Sequence, residues 1–420
     1  MLEEDIGLFG TRGVRKHMKV LSILGTRPEA IKMAPVIKEL EKHPDSVESK
    51  VCVTGQHRQM LDQMLALFNV KYDYDLNLMQ RNQSLSRLTA RALEELDAVF
   101  AREQPDWILV QGDTTTAMAA SLVAFYHRLR IGHIEAGLRT YDRSQPFPEE
   151  INRVIVDRLA DLYFAPTEQA RRALLQESVD DASIRVTGNT VVDALHSVAS
   201  RVPGERTWSL LETIGIAEVA SHRDDAQGQR VILVTAHRRE NFGQPLTEIC
   251  KAVQKLALQE KDQVRIVFPV HLNPNVQEAV QSTLAGMSNV CLLEPLDYEA
   301  LVHILKRTYL VLTDSGGLQE EAPSFGVPVL VLRDTTERPE AVEAGTARLV
   351  GSDSDRILAE TSRLLHDEKA YRSMSRRANP FGDGRASQRI VQALLDTESE
   401  PLAPEKELEA ALALASPDCG

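Results

Sequence analysis

Residues 106–136, "DWILVQGDTTTAMAASLVAFYHRLRIGHIEA", contain the pattern that decides the fold. The apolar run 106–113 predicts a β-strand, the alanine-rich segment 114–128 predicts a helix, and 130–136 predicts a second strand. Strand, helix and strand joined by short turns are typical of a parallel sheet that helices cover on both faces. The segment therefore predicts an α/β protein.

The same alternation recurs along the chain in two blocks. The first block has further strand candidates at 19–24, 50–55 and 162–167 and helices at 84–103 and 167–177. The second block has strand candidates at 230–238, 264–270, 290–294, 310–315, 327–332 and 347–351. Two such blocks predict two Rossmann-like doubly wound domains in tandem. Ligands are expected in the cleft between them, at the carboxyl ends of the strands.

The length and the breaks in this pattern set the expected domain limits. At 420 residues the chain is too long for one ordinary core, and the polar stretch 201–229 favours an interdomain connection or an exposed loop. We expect an N-terminal domain over 18–200 and a C-terminal domain over 201–377. Residues 1–17 precede the first strand, and the acidic tail 397–420 is predicted to be disordered.

The overall composition excludes several functional classes. A net charge of −13 argues against non-specific nucleic-acid binding, which needs a basic surface, but it allows local binding of a small anion. No apolar run approaches about 18 residues and the N-terminus lacks a signal-peptide core, so a cytoplasmic protein without a membrane span is expected. The four cysteines lack paired spacing, which indicates neither disulfides nor a zinc site, and the first three are expected to be buried.

Charged side chains follow the strands of the first block. In "LGTRPEAIK" (24–32), Arg27 and Lys32 lie near a helix N-terminus, where the helix dipole disfavours a cation unless an anion binds. An ordinary strand–helix turn is the alternative. In "QGDTTT" (111–116), Asp113 or Thr114 can be a helix N-cap, and a catalytic role of Asp113 is the alternative. Asp113 and Glu135 follow neighbouring strands, and paired carboxylates in a cleft can act as acid and base.

The stretch "HIEAGLRTYDRSQPFPEEINR" (133–153) carries much charge as it leaves a strand. Gly137, Pro146 and Pro148 exclude one continuous helix across it. Two interpretations fit these residues. One is a polar surface loop, and the other is a catalytic loop that aims carboxylates at a substrate.

The second block has basic residues at comparable places. "VTAHRRENFG" (234–243) ends a strand with His237 and Arg238, which can donate to a phosphate or to a developing oxyanion. A structural histidine fits equally well. His271 holds the same position after the next strand, and Arg338 stands at a predicted helix start.

The stretch "TDSGGLQEEAPSFG" (313–326) is the most informative part of the second block. Ser315 can cap the following helix, and Gly316 and Gly317 let a ligand approach the backbone amides, which makes an anion site. A capped helix without a ligand is the alternative. Glu321 or its neighbour can accept hydrogen bonds from a ribose. From the residues alone we expect an α/β protein that binds an anionic, nucleotide-linked small molecule in its cleft.

Taken together, the motifs resemble those of the non-hydrolysing UDP-N-acetylglucosamine 2-epimerase family, in collinear order over 18–396. The stretches that carry the resemblance are "GTRPEAIK" (25–32), "TGQHRQMLDQ" (54–63), "QGDTTT" (111–116), "HIEAGLRT" (133–140), "PFPEEINR" (146–153), "FAPTEQAR" (164–171), "VTGNTVVD" (186–193), "TAHRREN" (235–241) and "TDSGGLQEEAPSFGVPVLVLRDTTERPEAVEAGT" (313–346).

The resemblance implies a fold and a reaction. The implied architecture is glycosyltransferase-B-like and homodimeric, with a last helix within 378–396 that returns to the first domain. The implied reaction interconverts UDP-N-acetylglucosamine and UDP-N-acetylmannosamine for cell-surface polysaccharide synthesis. UDP is eliminated across carbons 1 and 2 to give 2-acetamidoglucal and then adds back after reprotonation on the opposite face. No cofactor and no metal are implied.

The resemblance also assigns residues. The acid–base candidates are Asp113, Glu135 and Glu149, with Arg153 to position them and His237 to stabilise the departing diphosphate. The UDP-binding candidates are Arg27, Lys32, Ser315, Gly316, Gly317 and Arg338 around the phosphates, Glu321 at the ribose and Leu301 near the uracil. A second, allosteric UDP-sugar site in some relatives corresponds to Gln56, Gln59, Glu149, Arg238 and His271, although Asn82 replaces an expected arginine.

Three other functions remain open at this stage. A hydrolysing epimerase would release UDP and free N-acetylmannosamine. A glycosyltransferase with the same domain pair would need an acceptor site. A UDP-sugar-binding sensor would have lost catalysis, and the intact set of Asp113, Glu135, Glu149 and His237 argues against it.

Overall fold

The structure is a computed structural model that describes residues 17–55, 58–79, 83–218 and 229–399. Gln56 and Asn82, which belong to the implied allosteric site, lie outside the described residues. The same holds for 1–16 and 400–420. What the sequence predicts for these segments stays a prediction.

The first half of the chain forms one sheet. Its strands are β1 (Met18–Leu24), β2 (Val47–Val53), β3 (Tyr74–Asp75), β4 (Trp107–Gln111), β5 (Arg130–Ile134), β6 (Leu162–Ala165) and β7 (Ile184–Val186). All pair in parallel, in the order β3-β2-β1-β4-β5-β6-β7. Along β1, Val20 and Leu24 face one apolar core whereas Leu21 and Ile23 face another, so the sheet is covered on both sides.

The second half forms a similar sheet. Its strands are β8 (Arg230–Thr235), β9 (Val264–Pro269), β10 (Val290–Leu293), β11 (Thr308–Thr313), β12 (Val329–Val331) and β13 (Ala347–Leu349). They are parallel, in the order β10-β9-β8-β11-β12-β13. In each sheet the strand order reverses beside the first strand, next to β4 and β11 respectively. Such a reversal opens a crevice at the carboxyl ends of the strands.

Helices connect the strands. In chain order they are α1 (Arg27–Leu40), α2 (Arg58–Leu67), α3 (Leu85–Glu103), α4 (Thr115–Tyr126), α5 (Glu149–Leu159), α6 (Glu168–Gln176), α7 (Thr190–Ala199), α8 (Glu205–Thr213), α9 (Gln244–Gln259), α10 (Pro274–Leu284), α11 (Tyr298–Arg307), α12 (Gly316–Glu321), α13 (Pro339–Glu343), α14 (Ser354–His366), α15 (Glu368–Ser375) and α16 (Ala386–Ser399). In the described part of the chain, none of them combines the length and the apolar character that a membrane crossing requires.

The predicted α/β class with two doubly wound parallel sheets is confirmed, and two details differ. Strands β3 and β7 were not predicted, because two and three residues are too few to show a pattern. The expected exposed loop at 201–229 is wrong over α8, where Thr207 and Leu211 are buried at helical spacing, and the alternative of an interdomain connection stays a prediction.

The last helix, α16, returns to the first half and packs against α1 and α7. The carboxylate of Asp193 on α7 holds its first turn. It accepts from the backbone N–H of Ala386 at 3.1 Å and from the backbone N–H and hydroxyl of Ser387 at 2.8 and 2.6 Å. The helix continues to Ser399, into the predicted tail. The domain limits at 200 and 377 stay predictions.

Two passages of the chain meet beside α7. Gly188 and Gly382 both have positive φ, at 88° and 133°, and a Cβ on either would lie 3.2–3.3 Å from the Cα of the other. The backbone N–H of Asn189 donates to the carbonyl of Phe381 at 2.6 Å. Only residues without a side chain allow so close an approach.

The described cysteines are free thiols. Cys52 and Cys250 are buried, and burial raises the pKa of each thiol to about 12. The expectation of burial is wrong for Cys291, which is partly exposed because β10 is an edge strand. Cys419 lies outside the described residues.

We predict that Asp193→Ala destabilises the last helix, because it removes the acceptor for the first N–H groups of α16. The free energy of unfolding should fall by about 1 kcal/mol, and amide hydrogen exchange in 386–397 should become faster. Asp353→Ala is the matched control, since Asp353 accepts from the N–H of Arg356 at the start of α14. It should cost similar stability without changing exchange in α16. Equal exchange in α16 for both variants would contradict the role of Asp193.

Candidate active site

Two adjoining cavities lie where the carboxyl ends of the two sheets face each other. The carboxylate cavity, of about 1110 Å³, is lined by residues that include Asp113, Glu135, Glu149 and Arg153. The histidine cavity, of about 620 Å³, is lined by residues that include Arg27, His237, His271, Leu301, Ser315, Gly317 and Glu321. Both are lined by Pro28, Lys32 and Arg338, so the cavities meet at these residues.

Asp113 follows β4 and forms an ion pair with Arg153 on α5. Its neighbour Thr114 is the N-cap of α4 and accepts from the N–H of Ala117 at 3.0 Å, so the expected N-cap is confirmed at Thr114 and is wrong for Asp113. Asn152 fixes the backbone here by donating to the carbonyl of Asp113 at 2.9 Å. The side chain of Asp113 is 28% exposed, so its carboxylate is accessible from the cavity.

Glu135 follows β5, and its side chain is only 6% exposed. Lys32 donates to both carboxylate oxygens at 2.5 and 2.6 Å, Asn189 donates to one of them at 3.0 Å, and Gln111 donates to the other. Burial alone would raise the pKa of Glu135. The charges of Lys32 and Arg338 and the hydrogen bonds outweigh burial and hold this pKa below its ordinary value.

Asp113 and Glu135 thus share one cavity, and each pairs with its own cation. The charged stretch from Glu135 to the start of α5, residues 135–148, contains no helix. The buried Glu150 on α5 fixes the backbone of this stretch, because its carboxylate accepts from the N–H of Thr140 at 3.1 Å and of Tyr141 at 2.9 Å. Glu149, the first residue of α5, lines the cavity instead.

A capping box fixes the start of α1. The side chain of Thr26 accepts from the N–H of Glu29, and Glu29 accepts in return from the N–H of Thr26 at 2.7 Å. Glu29 also accepts from the hydroxyl of Thr114 at 2.7 Å, which ties α1 to α4. Arg27 is therefore held at the helix start, and Lys32 one turn later reaches Glu135. The carboxylate of Glu135 offsets the unfavourable position of the Lys32 charge near the helix N-terminus.

The buried carboxylate of Asp314 fixes the chain around His237, which lines the histidine cavity. One of its oxygens accepts from the backbone N–H of His237 at 2.9 Å, from that of Arg238 at 2.8 Å and from the amide of Asn241 at 3.0 Å. The other oxygen lies 3.2 Å from Nδ1 of His237. Burial would raise the pKa of Asp314, but these donors hold it below its usual range. The ring of His237 stacks on that of His271, with centroids 6.0 Å apart.

The glycine pair and its neighbours form another wall of the histidine cavity. Ser315 occupies the N-cap position of α12, but its side chain makes no capping hydrogen bond, so the expected side-chain cap is wrong. Ser315 and Gly317 line the cavity, and Gly316 lies between them. Leu301 lines the same cavity from α11.

Glu321 is a buried carboxyl in this cavity. Burial and the neighbouring Glu320 raise its pKa to about 8, against the opposing effect of Lys32 and Arg27. The hydroxyl of Tyr298, which lines the cavity too, is buried and has no hydrogen-bond partner among the described residues. Because its pKa is raised to about 8, Glu321 is mainly protonated at neutral pH and can donate as well as accept a hydrogen bond.

Arg338 precedes α13 and stands between the cavities. Its Nε donates to Glu320, whose other oxygen accepts from Asn189 at 2.8 Å. Burial would lower the pKa of Arg338, but the carboxylates of Glu320 and Glu135 raise it above its ordinary value. Arg338 is therefore a permanent cation at the junction.

The residues of the implied allosteric site are spread more widely. Gln59 is exposed on α2, and Arg238 lies 3.4 Å from Glu337. Neither is among the described residues that line the two cavities, whereas His271 is. A second UDP-sugar site stays a prediction.

Sequence reasoning missed four polar residues that the structure places at the site. They are Gln111, Asn189, Asp314 and Glu320 as a partner of Arg338. Gln111, Asn189 and Asp314 stand at or directly after a strand end or at a helix start, and that position was a usable signal. Glu320 stands near the end of α12 and had no such signal. Asn189 was obscured because the strand before it, β7, is too short to predict.

Known proteins share both the sequence and the fold. The family model described as UDP-N-acetylglucosamine 2-epimerase matches residues 38–395. The chain belongs to this family. The UDP-N-acetylglucosamine 2-epimerase of Salmonella typhimurium is 54% identical over 378 residues, which cover 90% of this chain and 98% of that protein. The enzyme of the same name from Escherichia coli strain K12 is 52% identical over 377 residues, with coverage of 90% and 98%.

Solved structures of the family confirm the predicted glycosyltransferase-B-like fold. A putative UDP-N-acetylglucosamine 2-epimerase from Listeria monocytogenes has a TM-score of 0.84 at 45% identity and covers 92% of this chain and 98% of its own. The Neisseria meningitidis enzyme, bound to UDP-GlcNAc, has a TM-score of 0.78 at 48% identity, with coverage of 90% and 100%. The Methanocaldococcus jannaschii enzyme, in complex with UDP-GlcNAc and UDP, has a TM-score of 0.71 at 33% identity, with coverage of 90% and 99%.

We predict that Glu321→Gln raises stability more at pH 8.5 than at pH 5. The pKa of Glu321 is about 8 in the fold, against 4.5 as the reference value, so between these values the folded state binds the extra proton. Stability contributed by this proton is present at low pH and is lost as pH rises towards about 8. Urea unfolding of both proteins at the two pH values measures the effect. Glu278→Gln, at an exposed position of α10, is the control and should show no such pH dependence.

Proposed function

We propose that the protein interconverts UDP-N-acetylglucosamine and UDP-N-acetylmannosamine without net hydrolysis, by elimination and re-addition of UDP through 2-acetamidoglucal. The observation that carries the proposal is the pair of cavities that meet at Lys32 and Arg338. One offers carboxylates and the other offers glycine backbone and a histidine. A nucleotide sugar needs both environments, one for the ring and one for the diphosphate. The names of the family and of its relatives support the same substrate.

The carboxylate cavity suits proton transfer at carbon 2. That proton is weakly acidic, so a positioned base and an assisted leaving group must act together. Epimerisation also requires proton donors or acceptors on both faces of the ring. Asp113, Glu135 and Glu149 line the cavity together, and Arg153 holds Asp113 in place. We assign these carboxylates as the acid–base groups, with Arg153 as their positioning residue.

The histidine cavity suits the UDP moiety. Arg27, Lys32 and Arg338 supply positive charge, Ser315 supplies a hydroxyl, and the glycine pair supplies backbone N–H groups, as diphosphates require. His237 is held by Asp314, and we assign it to stabilise the charge that develops on the departing diphosphate. Glu321 would bind the ribose, with Leu301 near the uracil.

Other parts of the proposal rest on the resemblance alone. They are assembly as a homodimer, a role in cell-surface polysaccharide synthesis, and a second UDP-sugar site at Gln56, Gln59, Arg238 and His271. Action in the cytoplasm and the domain limits given above are proposed from the composition and the strand–helix pattern.

Isotope exchange tests the proposed reaction. Incubation with UDP-N-acetylglucosamine in deuterated water should place deuterium at carbon 2 of both UDP-sugars, because the proton is removed and replaced from solvent. Proton NMR of the anomeric and carbon 2 positions measures this. Release of free N-acetylmannosamine would indicate hydrolysis instead. Binding of the UDP-sugar without any exchange would indicate a sensor, and either result would refute the proposal.

Asp113→Asn should lower kcat by at least about 100-fold, the usual scale for loss of an acid–base group. The amide keeps the shape of the side chain and removes its charge and basicity. Asp142→Asn is the control, because Asp142 lies exposed in the neighbouring stretch and accepts from local groups such as the N–H of Ser144 at 2.9 Å. It should keep near-wild-type activity. Comparable activity of the two variants would remove Asp113 from the mechanism.

A further inference from the structure

Asn189 uses all the hydrogen-bonding capacity of its side chain apart from one lone pair. It is the N-cap of α7 and only 3% exposed, and its Oδ1 accepts from the N–H of Val191 at 3.1 Å. That bond fixes which end of the amide faces the cleft. The Nδ2 group then points at Glu135 and Glu320, at 3.0 and 2.8 Å. Because an amide nitrogen carries two hydrogens, each carboxylate receives one.

The two carboxylates belong to opposite halves of the molecule. Glu135 follows β5 of the first sheet and binds Lys32, whereas Glu320 lies on α12 of the second half and binds Arg338. We call these five residues the cleft cluster: Lys32, Glu135, Asn189, Glu320 and Arg338. Its two cations and two carboxylates balance in charge, and Asn189 is the neutral group between the two ion pairs.

We infer that Asn189 is a positioning residue. Its single side-chain amide holds two carboxylates, that of Glu135, which is a proposed acid–base group, and that of Glu320, which orients Arg338. Proton transfer at Glu135 is thereby coupled to the group proposed to hold the diphosphate. This inference rests on the proposed function for the roles of Glu135 and Arg338. The contacts themselves do not depend on it.

The chemistry explains why an amide stands at this position. Two ionised carboxylates that approach one point need donors between them, and an amide supplies two without adding charge. A hydrogen bond donated to an ionised carboxylate favours the ionised form, so Asn189 helps to keep Glu135 ready to accept a proton. The other groups that face Glu135 are Lys32 from α1, Gln111 from β4 and the charge of Arg338.

Two substitutions separate positioning from helix capping. Asn189→Ser keeps a good N-cap oxygen for α7 but cannot donate to both carboxylates. Asn189→Asp also keeps the cap and places a third carboxylate between Glu135 and Glu320. Asn273→Ser is the matched control, since Asn273 caps α10 by accepting from the N–H of Asn275 at 3.0 Å, away from the cluster.

The experiment measures the pH dependence of kcat and kcat/KM for epimerisation in the wild type and these variants. We expect kcat to fall by about 10- to 100-fold in Asn189→Ser, the scale of a lost hydrogen bond to a charged group. The acidic limb of kcat/KM should move to higher pH in the order wild type, Asn189→Ser, Asn189→Asp. Asn273→Ser should follow the wild-type profile. A merely structural role would lower activity without moving this limb.

A second readout does not need turnover. The carboxyl of Glu135 can be titrated by infrared spectroscopy, with its band assigned through its loss in Glu135→Gln, and the same order of midpoints is expected. If the wild type shows no epimerisation but the infrared order holds, the proposed function fails and the positioning of Glu135 by Asn189 stands. If the wild type epimerises and Asn189→Asp titrates like the wild type by both methods, the inference alone is overturned.

Discussion

A carboxylate removed from water must be given donors or a counter-ion, and the cleft is arranged around this requirement at Glu135. Its donors come from α1, β4 and the start of α7, three elements separated widely in sequence. They meet only because parallel strands end at one edge of the sheet, so that the carboxyl ends of β1, β4, β5 and β7 all lie along that edge. The chemistry of the site therefore depends on the fold, because the order of the strands brings together the donors that stabilise the buried carboxylate.

The second half of the chain also stabilises buried carboxylates, with different donors. Asp314 is satisfied mainly by backbone N–H groups, which fix the path of the chain at His237, while Glu320 is satisfied by Arg338 and Asn189. Removing one member of such a buried pair leaves an uncompensated charge and costs about 3–5 kcal/mol, far more than a surface ion pair contributes. The charged groups are thus held by partners within the chain, and such fixed positions reduce the reorganisation that catalysis requires.

The strand and helix alternation was readable from the sequence because each long element has its own apolar pattern. The segment from β4 to β5 was predicted within a few residues, and Asp113 and Glu135 were recognised because they follow its strands. What could not be read is what depends on contacts across the fold. The role of Asn189 requires knowing that Glu135 and Glu320 meet there, and the partial exposure of Cys291 requires knowing that β10 lies at an edge. The N-cap rule misassigned the side chain of Ser315, since the backbone position was right but the hydroxyl is not used.

The contact between Gly188 and Gly382 has a consequence for how the two halves can move. A single flexible linker would let one half slide, tilt and swing relative to the other. Here the outgoing and the returning passages touch backbone to backbone and are joined by the hydrogen bond from Asn189 to Phe381. Sliding would break that contact, whereas rotation about it would preserve it. The outgoing and the returning passages are therefore anchored to each other at one point, which a single flexible linker would not provide.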